Sequence, residues 1–64
     1  MAIITLLSDW GNKDHYAGMV KGRILSKIPQ ASIVDISHNI PPFNLNSASF
    51  VLRNAFPVFP ENTI

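Results

Sequence analysis

The chain opens on an apolar run, Ala2-Ile3-Ile4-Thr5-Leu6-Leu7, that shows no polar alternation. Such a run predicts a strand over residues 3–8 covered on both faces, as in the interior of a parallel sheet. The period then changes. Tyr16, Val20, Ile24 and Ile28 recur at every fourth position, which predicts a helix over residues 14–27 with Asp14 as its cap and Lys27 favourably placed in its last turn. Pro29 stops that helix. Ser32-Ile33-Val34-Asp35-Ile36-Ser37 is rich in β-branched residues and predicts a second strand, and residues 38–43 form a loop stiffened by Pro41-Pro42. Asn44 or Asn46 can cap a second helix reaching about residue 54, with Ala48, Val51, Leu52 and Ala55 as its apolar stripe and Phe56-Pro57 as its end. Pro60-Glu61-Asn62-Thr63-Ile64 reads as a turn entering a third strand.

The order is therefore βαβαβ, which implies an α/β fold. A strand, a crossover helix and a second strand make a parallel unit of right-handed sense, and a parallel sheet requires helices on both faces. No internal repeat, low-complexity stretch or linker divides the chain, so residues 1–64 are expected to lie in one domain. A domain of 64 residues buries only about 60% of its unfolded surface. The expectation is thus an incomplete domain, the N-terminal piece of a longer protein.

Composition narrows the partners. With 47% hydrophobic residues, 14% charged residues and a formal net charge of +1, nothing attracts nucleic acid or a membrane surface. The chain has no cysteine, which removes disulfides and thiolate metal sites and is compatible with a reducing compartment. The N-terminus lacks a basic segment, and Asp9 breaks its apolar run far short of a membrane span. A cytoplasmic location is expected.

The candidate chemistry gathers where the first strand stops, at Ser8-Asp9-Trp10-Gly11. Open α/β folds bind ligands beyond the carboxyl ends of their strands. A carboxylate there can accept from two adjacent hydroxyls, such as those of a ribose, or it can simply form the turn ahead of Gly11. Trp10 is either a stacking platform or a core aromatic. Asp14 is a cap, or a carboxylate at the mouth of the loop that could hold a ligand ammonium. Asp35 lies in an apolar strand, where an isolated charge is expensive, so it must be paired, hydrogen-bonded or near the strand end. His38 follows closely; a structural hydrogen-bonded pair with Asp35 is favoured over an acid-base or metal pair. Gly18 and Gly22 suggest a close approach of the first helix to the sheet or to another chain. Phosphate-binding loops of the GxGxxG or Walker type are absent, which favours a ligand without phosphate.

Taken together, Ile3-Ile4-Thr5-Leu6-Leu7-Ser8-Asp9-Trp10-Gly11, Lys13-Asp14, Lys21-Gly22, Ile33-Val34-Asp35-Ile36-Ser37-His38 and Ile40-Pro41-Pro42 resemble the N-terminal domain of the S-adenosyl-L-methionine (SAM) hydroxide adenosyltransferases, relatives of fluorinases and chlorinases. The resemblance covers essentially the whole chain. It implies attack of water or hydroxide on C5′ of SAM, giving adenosine and L-methionine, with no organic cofactor and no metal. It further implies that Asp9 binds the ribose hydroxyls, that Asp14 and Tyr16 bind the methionine moiety, and that Phe43, where halogenating relatives place Trp, forms an apolar wall. The catalytic residues that activate water are expected beyond Ile64, as is a C-terminal β-barrel domain, and the active site is expected between subunits of a homotrimer. Trp10 and His15 depart from the smaller residues common in the family, which alters the expected shape of the methionine end.

Two other readings stand beside it. A SAM-dependent halogenase would share this half of the pocket and make 5′-halo-adenosine. A non-catalytic α/β binding or assembly module would use the Asp9 turn only as a corner. A nucleoside hydrolase ranks lower, because it would want clustered carboxylates for a metal, and Asp9 and Asp14 are the only pair near one loop.

Overall fold

A computed structural model describes residues 2–64. Strand β1 (Ile3–Leu7) is followed by helix α1 (Tyr16–Lys27), strand β2 (Ser32–Ser37), helix α2 (Leu45–Ala55) and a 3-10 turn over Phe56–Val58. The two strands pair in parallel, from Ile3 opposite Ser32 to Leu7 opposite Ser37, so the α/β reading holds. Parallel neighbours cannot be joined by a tight turn, and α1 supplies the crossover.

On the other edge of β1, the Ile64 amide donates to the Ile3 carbonyl at 2.9 Å and the Thr5 amide donates to the Ile64 carbonyl at 2.6 Å. This is the slanted bonding of a parallel pair. The Thr5 hydroxyl donates to the same Ile64 carbonyl at 2.9 Å. Strand β1 is therefore central, as its unbroken apolar run requires, and backbone from the expected third strand already lies beside it.

The faces follow from the register. Ile4 and Leu6 share a face with Ile33 and Asp35, and Lys21 of α1 reaches Asp35 there, so α1 covers that side. Leu52 of α2 borders Thr5 and Ile36 on the opposite side. The register slips between Leu6 and Leu7, leaving Ile36 as an extra residue in β2. Such a bulge re-aims the residues that follow it.

Three local expectations need correction. Helix α1 begins at Tyr16, and its N-cap residue is His15, in helical conformation and without a side-chain cap bond; Asp14 does not cap. A capping side chain must hang from extended backbone to reach the first free amides, and the chain enters α1 already coiled. Tyr16 does not share the inward stripe either: Ala17, Val20, Ile24 and Ile28 are half-buried, whereas Tyr16 is exposed with its ring 4.7 Å from that of His15. Each step of four residues rotates the stripe by about 40°, so Tyr16 has turned away from the sheet by the time Ile28 faces it. Gly18 and Gly22 mark no close approach of α1 to the sheet, because a Cβ at either would meet nothing of this chain within 4 Å.

Helix α2 behaves as its sequence implies. Asn44, rather than Asn46, caps it, accepting from the Ser47 amide at 2.9 Å. Ala48, Val51 and Ala55 are half-buried, and Leu52 lies at the exposed rim. Pro57 then tightens the chain into the 3-10 turn instead of stopping it outright. Among the described residues, only His38 and Ile40 are buried. Both lie just past β2, at the carboxyl end of the sheet.

Candidate functional site

The turn after β1 and the loop after β2 are bound to each other by backbone and side-chain hydrogen bonds. The Ser8 amide donates to the Ser37 carbonyl at 2.9 Å, the Ile40 amide to the Ser8 carbonyl at 3.2 Å, and the Gly11 amide to the His38 carbonyl at 2.5 Å. The Trp10 amide donates to Ser8 Oγ at 3.3 Å, and Ser8 Oγ lies 2.5 Å from His38 Nδ1. Gly11 has φ +73°, the left-handed conformation that glycine adopts without steric cost. That conformation folds the turn back against the second loop.

His38 is 2% exposed and sits at the centre of this junction. Its Nε2 is 2.8 Å from Asp35 Oδ1, and the Lys21 ammonium donates to Asp35 Oδ2 at 2.6 Å. Residues three apart on a regular strand face opposite ways; the bulge at Ile36 and the strand's end at Ser37 bring Asp35 and His38 together. Lys21, and then His38, hold the Asp35 carboxyl below its usual range by hydrogen bonding to its ionised form. An ionised Asp35 only accepts, so Nε2 carries the proton, and in the neutral ring Nδ1 accepts from the Ser8 hydroxyl. Trp10 stacks on the imidazole with centroids 5.8 Å apart and planes 14° apart, and so covers it. Its role here is a cover over the histidine, with 41% of its own surface still exposed.

Asp9 is the exception. Its carboxylate is exposed and makes no hydrogen bond or ion pair among the described residues. It lines a cleft of roughly 230 Å³ with Leu7 and Ser8 of the strand end, Ile40, Pro41 and Phe43 of the loop, and Asn44, Leu45 and Ala48 at the start of α2. The volume falls below the roughly 300–1,000 Å³ of a complete small-molecule pocket. Phe43 has φ +60° and is 98% exposed, a strained backbone carrying an unburied ring at the cleft mouth. Two larger hollows, of about 430 and 490 Å³, flank the sheet, but neither brings a carboxylate to a strand end. Asp14 and Tyr16 are exposed and lie outside the cleft lining. No group of three or more potential metal-ligating residues occurs among the described residues.

Residues 4–64 match the profile of the SAM hydroxide adenosyltransferase N-terminal domain. The chain belongs to this family. It is 47% identical, over 94% of its length, to a protein of Methanocaldococcus jannaschii named (R)-S-adenosyl-L-methionine hydrolase, and 34% identical over its whole length to one of the same name from Thermus thermophilus. A fluorinase of Nocardia brasiliensis is 34% identical over 97% of the chain. A crystal structure of a conserved hypothetical protein, also from Thermus thermophilus, superposes with a TM-score of 0.85 at 36% identity, over 98% of this chain and 26% of that one. The chain spans about a quarter of the two hydrolases, 24% and 25%, and 21% of the fluorinase. An incomplete cleft accords with that share.

Sequence reading placed the Asp9 carboxylate at the end of the first strand, where the structure has it, and it expected Asp35 and His38 to pair. It missed Ser8 and Lys21 as their partners. Lys21 had a signal: it borders the Val20–Ile24 stripe, where a helix cation can reach an acid on the apolar strand. Ser8 had none, because its partner lies 30 residues away.

Proposed function

We propose that the whole protein hydrolyses SAM at C5′, releasing adenosine and L-methionine, and that this chain supplies part of the substrate pocket. The observation that carries the reading is Asp9, an exposed carboxylate with no partner among the described residues, at the carboxyl end of the central strand in a cleft of this family's domain. Its two oxygens suit the two vicinal hydroxyls of a ribose. In the reaction, a water oxygen bonds to C5′ as the C5′–S bond breaks. The bonding pair returns to sulfur, methionine leaves as a neutral thioether, and one water proton is lost to solvent or a base. A sulfonium leaves readily, so positioning and exclusion of bulk water supply most of what the enzyme must add.

Phe43 walls the nucleoside end, and Asp14, just before α1, and Tyr16, its first residue, take the methionine end. Trimeric assembly, a cytoplasmic location and independence of cofactor and metal belong to the same proposal. Hydrolysis is preferred to halogenation because the relative sharing 47% identity bears the hydrolase name, whereas the fluorinases share 29% to 34%.

Incubating the full-length protein with SAM, with and without chloride, and separating the products by chromatography tests the reaction. Adenosine in both conditions is expected. A chloride-dependent 5′-halo-adenosine would replace hydrolysis with halogenation, and neither product would refute the enzymatic reading. Calorimetry tests the site: Asp9→Ala should weaken adenosine binding at least about ten-fold, the loss of one charge-assisted hydrogen bond of about 1.5–3 kcal/mol.

A further inference from the structure

We infer that His38 is a positioning residue for substrate binding, acting through the Ser8 hydroxyl to hold Asp9 at the angle the ribose requires. The inference rests on the reading of Asp9 as the ribose carboxylate and adds a chain of residues to it. Asp9 has no contact of its own to fix its direction among the described residues. Its two neighbours are both fixed, and both through Ser8 Oγ: Ser8 by His38 Nδ1 at 2.5 Å, and Trp10 by its amide at 3.3 Å. Gly11 closes the turn by donating to the His38 carbonyl. One imidazole residue thus secures the turn on either side of Asp9, by ring and by backbone.

The imidazole is itself held from behind. Asp35 accepts from Nε2, and Lys21 occupies the other carboxylate oxygen, so the ring has a set tautomer and orientation. Trp10 closes its face. The order serine, histidine, aspartate has the connectivity of an acyl-transfer triad. Two of the amides beside it are turned back into the loop, Trp10 donating to Ser8 Oγ and Gly11 to the His38 carbonyl, and neither is left to stabilise an oxyanion. Bonds directed into the loop in this way suit orienting its residues.

The two ring nitrogens can be separated by substitution. In His38→Asn the amide oxygen stands where Nδ1 does and keeps the acceptor for Ser8, while the link to Asp35 is lost. In His38→Gln the amide nitrogen reaches towards Asp35, while the acceptor for Ser8 is lost. The test uses the full-length protein, calorimetry with adenosine, and KM and kcat with SAM. Ser8→Ala and His38→Gln should each weaken adenosine binding and raise KM about ten-fold, with kcat changed less than three-fold, and His38→Asn should recover binding to within about three-fold of the parent.

If the parent and Asp9→Ala differ as expected but Ser8→Ala and His38→Gln bind adenosine like the parent, the inference is overturned and the ribose reading stands. His38→Asn binding no better than His38→Gln also overturns it, since the acceptor would then not be what matters. If the parent binds no adenosine, the ribose reading fails and the inference fails with it. Should His38→Gln not fold, Ser8→Ala decides alone, because it removes one half-buried hydroxyl and keeps the ring with its bond to Asp35.

Discussion

The loops at the carboxyl end of this small sheet and the helix on its flank are held by different means. At the carboxyl end, the turn after β1 and the loop after β2 are joined by hydrogen bonds that leave no described buried side-chain polar atom unpaired, around a histidine 2% exposed. Along α2 and the turn that follows it, the contents are apolar and largely uncovered: Leu45, Phe50, Phe56 and Val58 are all exposed. Where apolar burial is scarce, directional bonds can still define one geometry, because a buried donor or acceptor left unpaired costs more than a paired one contributes. The site end is therefore ordered by polar accounting and the helix flank by hydrophobic contact. Functional geometry can be set in a chain whose core is thin.

Substitutions can break this contrast at its strongest point first. Gly11→Ala forces a side chain into the left-handed region at φ +73°, and should destabilise the protein by about 1–2 kcal/mol, read as a lower midpoint in chemical denaturation. Since a Cβ there meets nothing within 4 Å, the cost is conformational, and Gly11→Asn should recover part of it. Equal midpoints for the alanine and asparagine variants would contradict that account.

A smaller effect separates the two helix starts. Asn44→Ala removes the cap bond to the Ser47 amide and should cost about 1 kcal/mol. Asp14→Ala removes no cap, and its unfolding midpoint should move by less than half as much. A larger loss for Asp14 than for Asn44 in the same denaturant series would reverse the assignment.

The smallest effect is the pH response of the brace. Lys21 and His38 lower the Asp35 pKa, so this carboxylate contributes stability above its unfolded value of about 3.9 and loses it as pH falls through the lower folded value. Asp35 is 38% exposed, and solvent screening limits the contribution to below about 1 kcal/mol. Asp35→Asn should flatten the stability profile below pH 4. An unaltered acid limb in thermal melts would show that the pair carries no linkage.

Much of this was legible along the chain. The order of elements, the limits of β2, the Asn44 cap and the need of Asp35 for a partner all follow from neighbours within a few residues, where period, capping and desolvation act. Asp9 was legible for the same reason, as a carboxylate at the end of an apolar run. The start of α1 was not, because Asp14 has capping chemistry but not capping backbone, and backbone dihedrals there depend on how the preceding turn folds onto His38.

What the sequence alone determined is the alternation of strands and helices and the kind of group each element presents, since both rest on local periodicity and side-chain chemistry. Only the tertiary structure decided that Ser8 meets His38 across 30 residues and that Lys21 meets Asp35 across 14. Those meetings depend on a parallel register and on one bulged residue at Ile36, and a shift of a single residue would send each side chain to the opposite face.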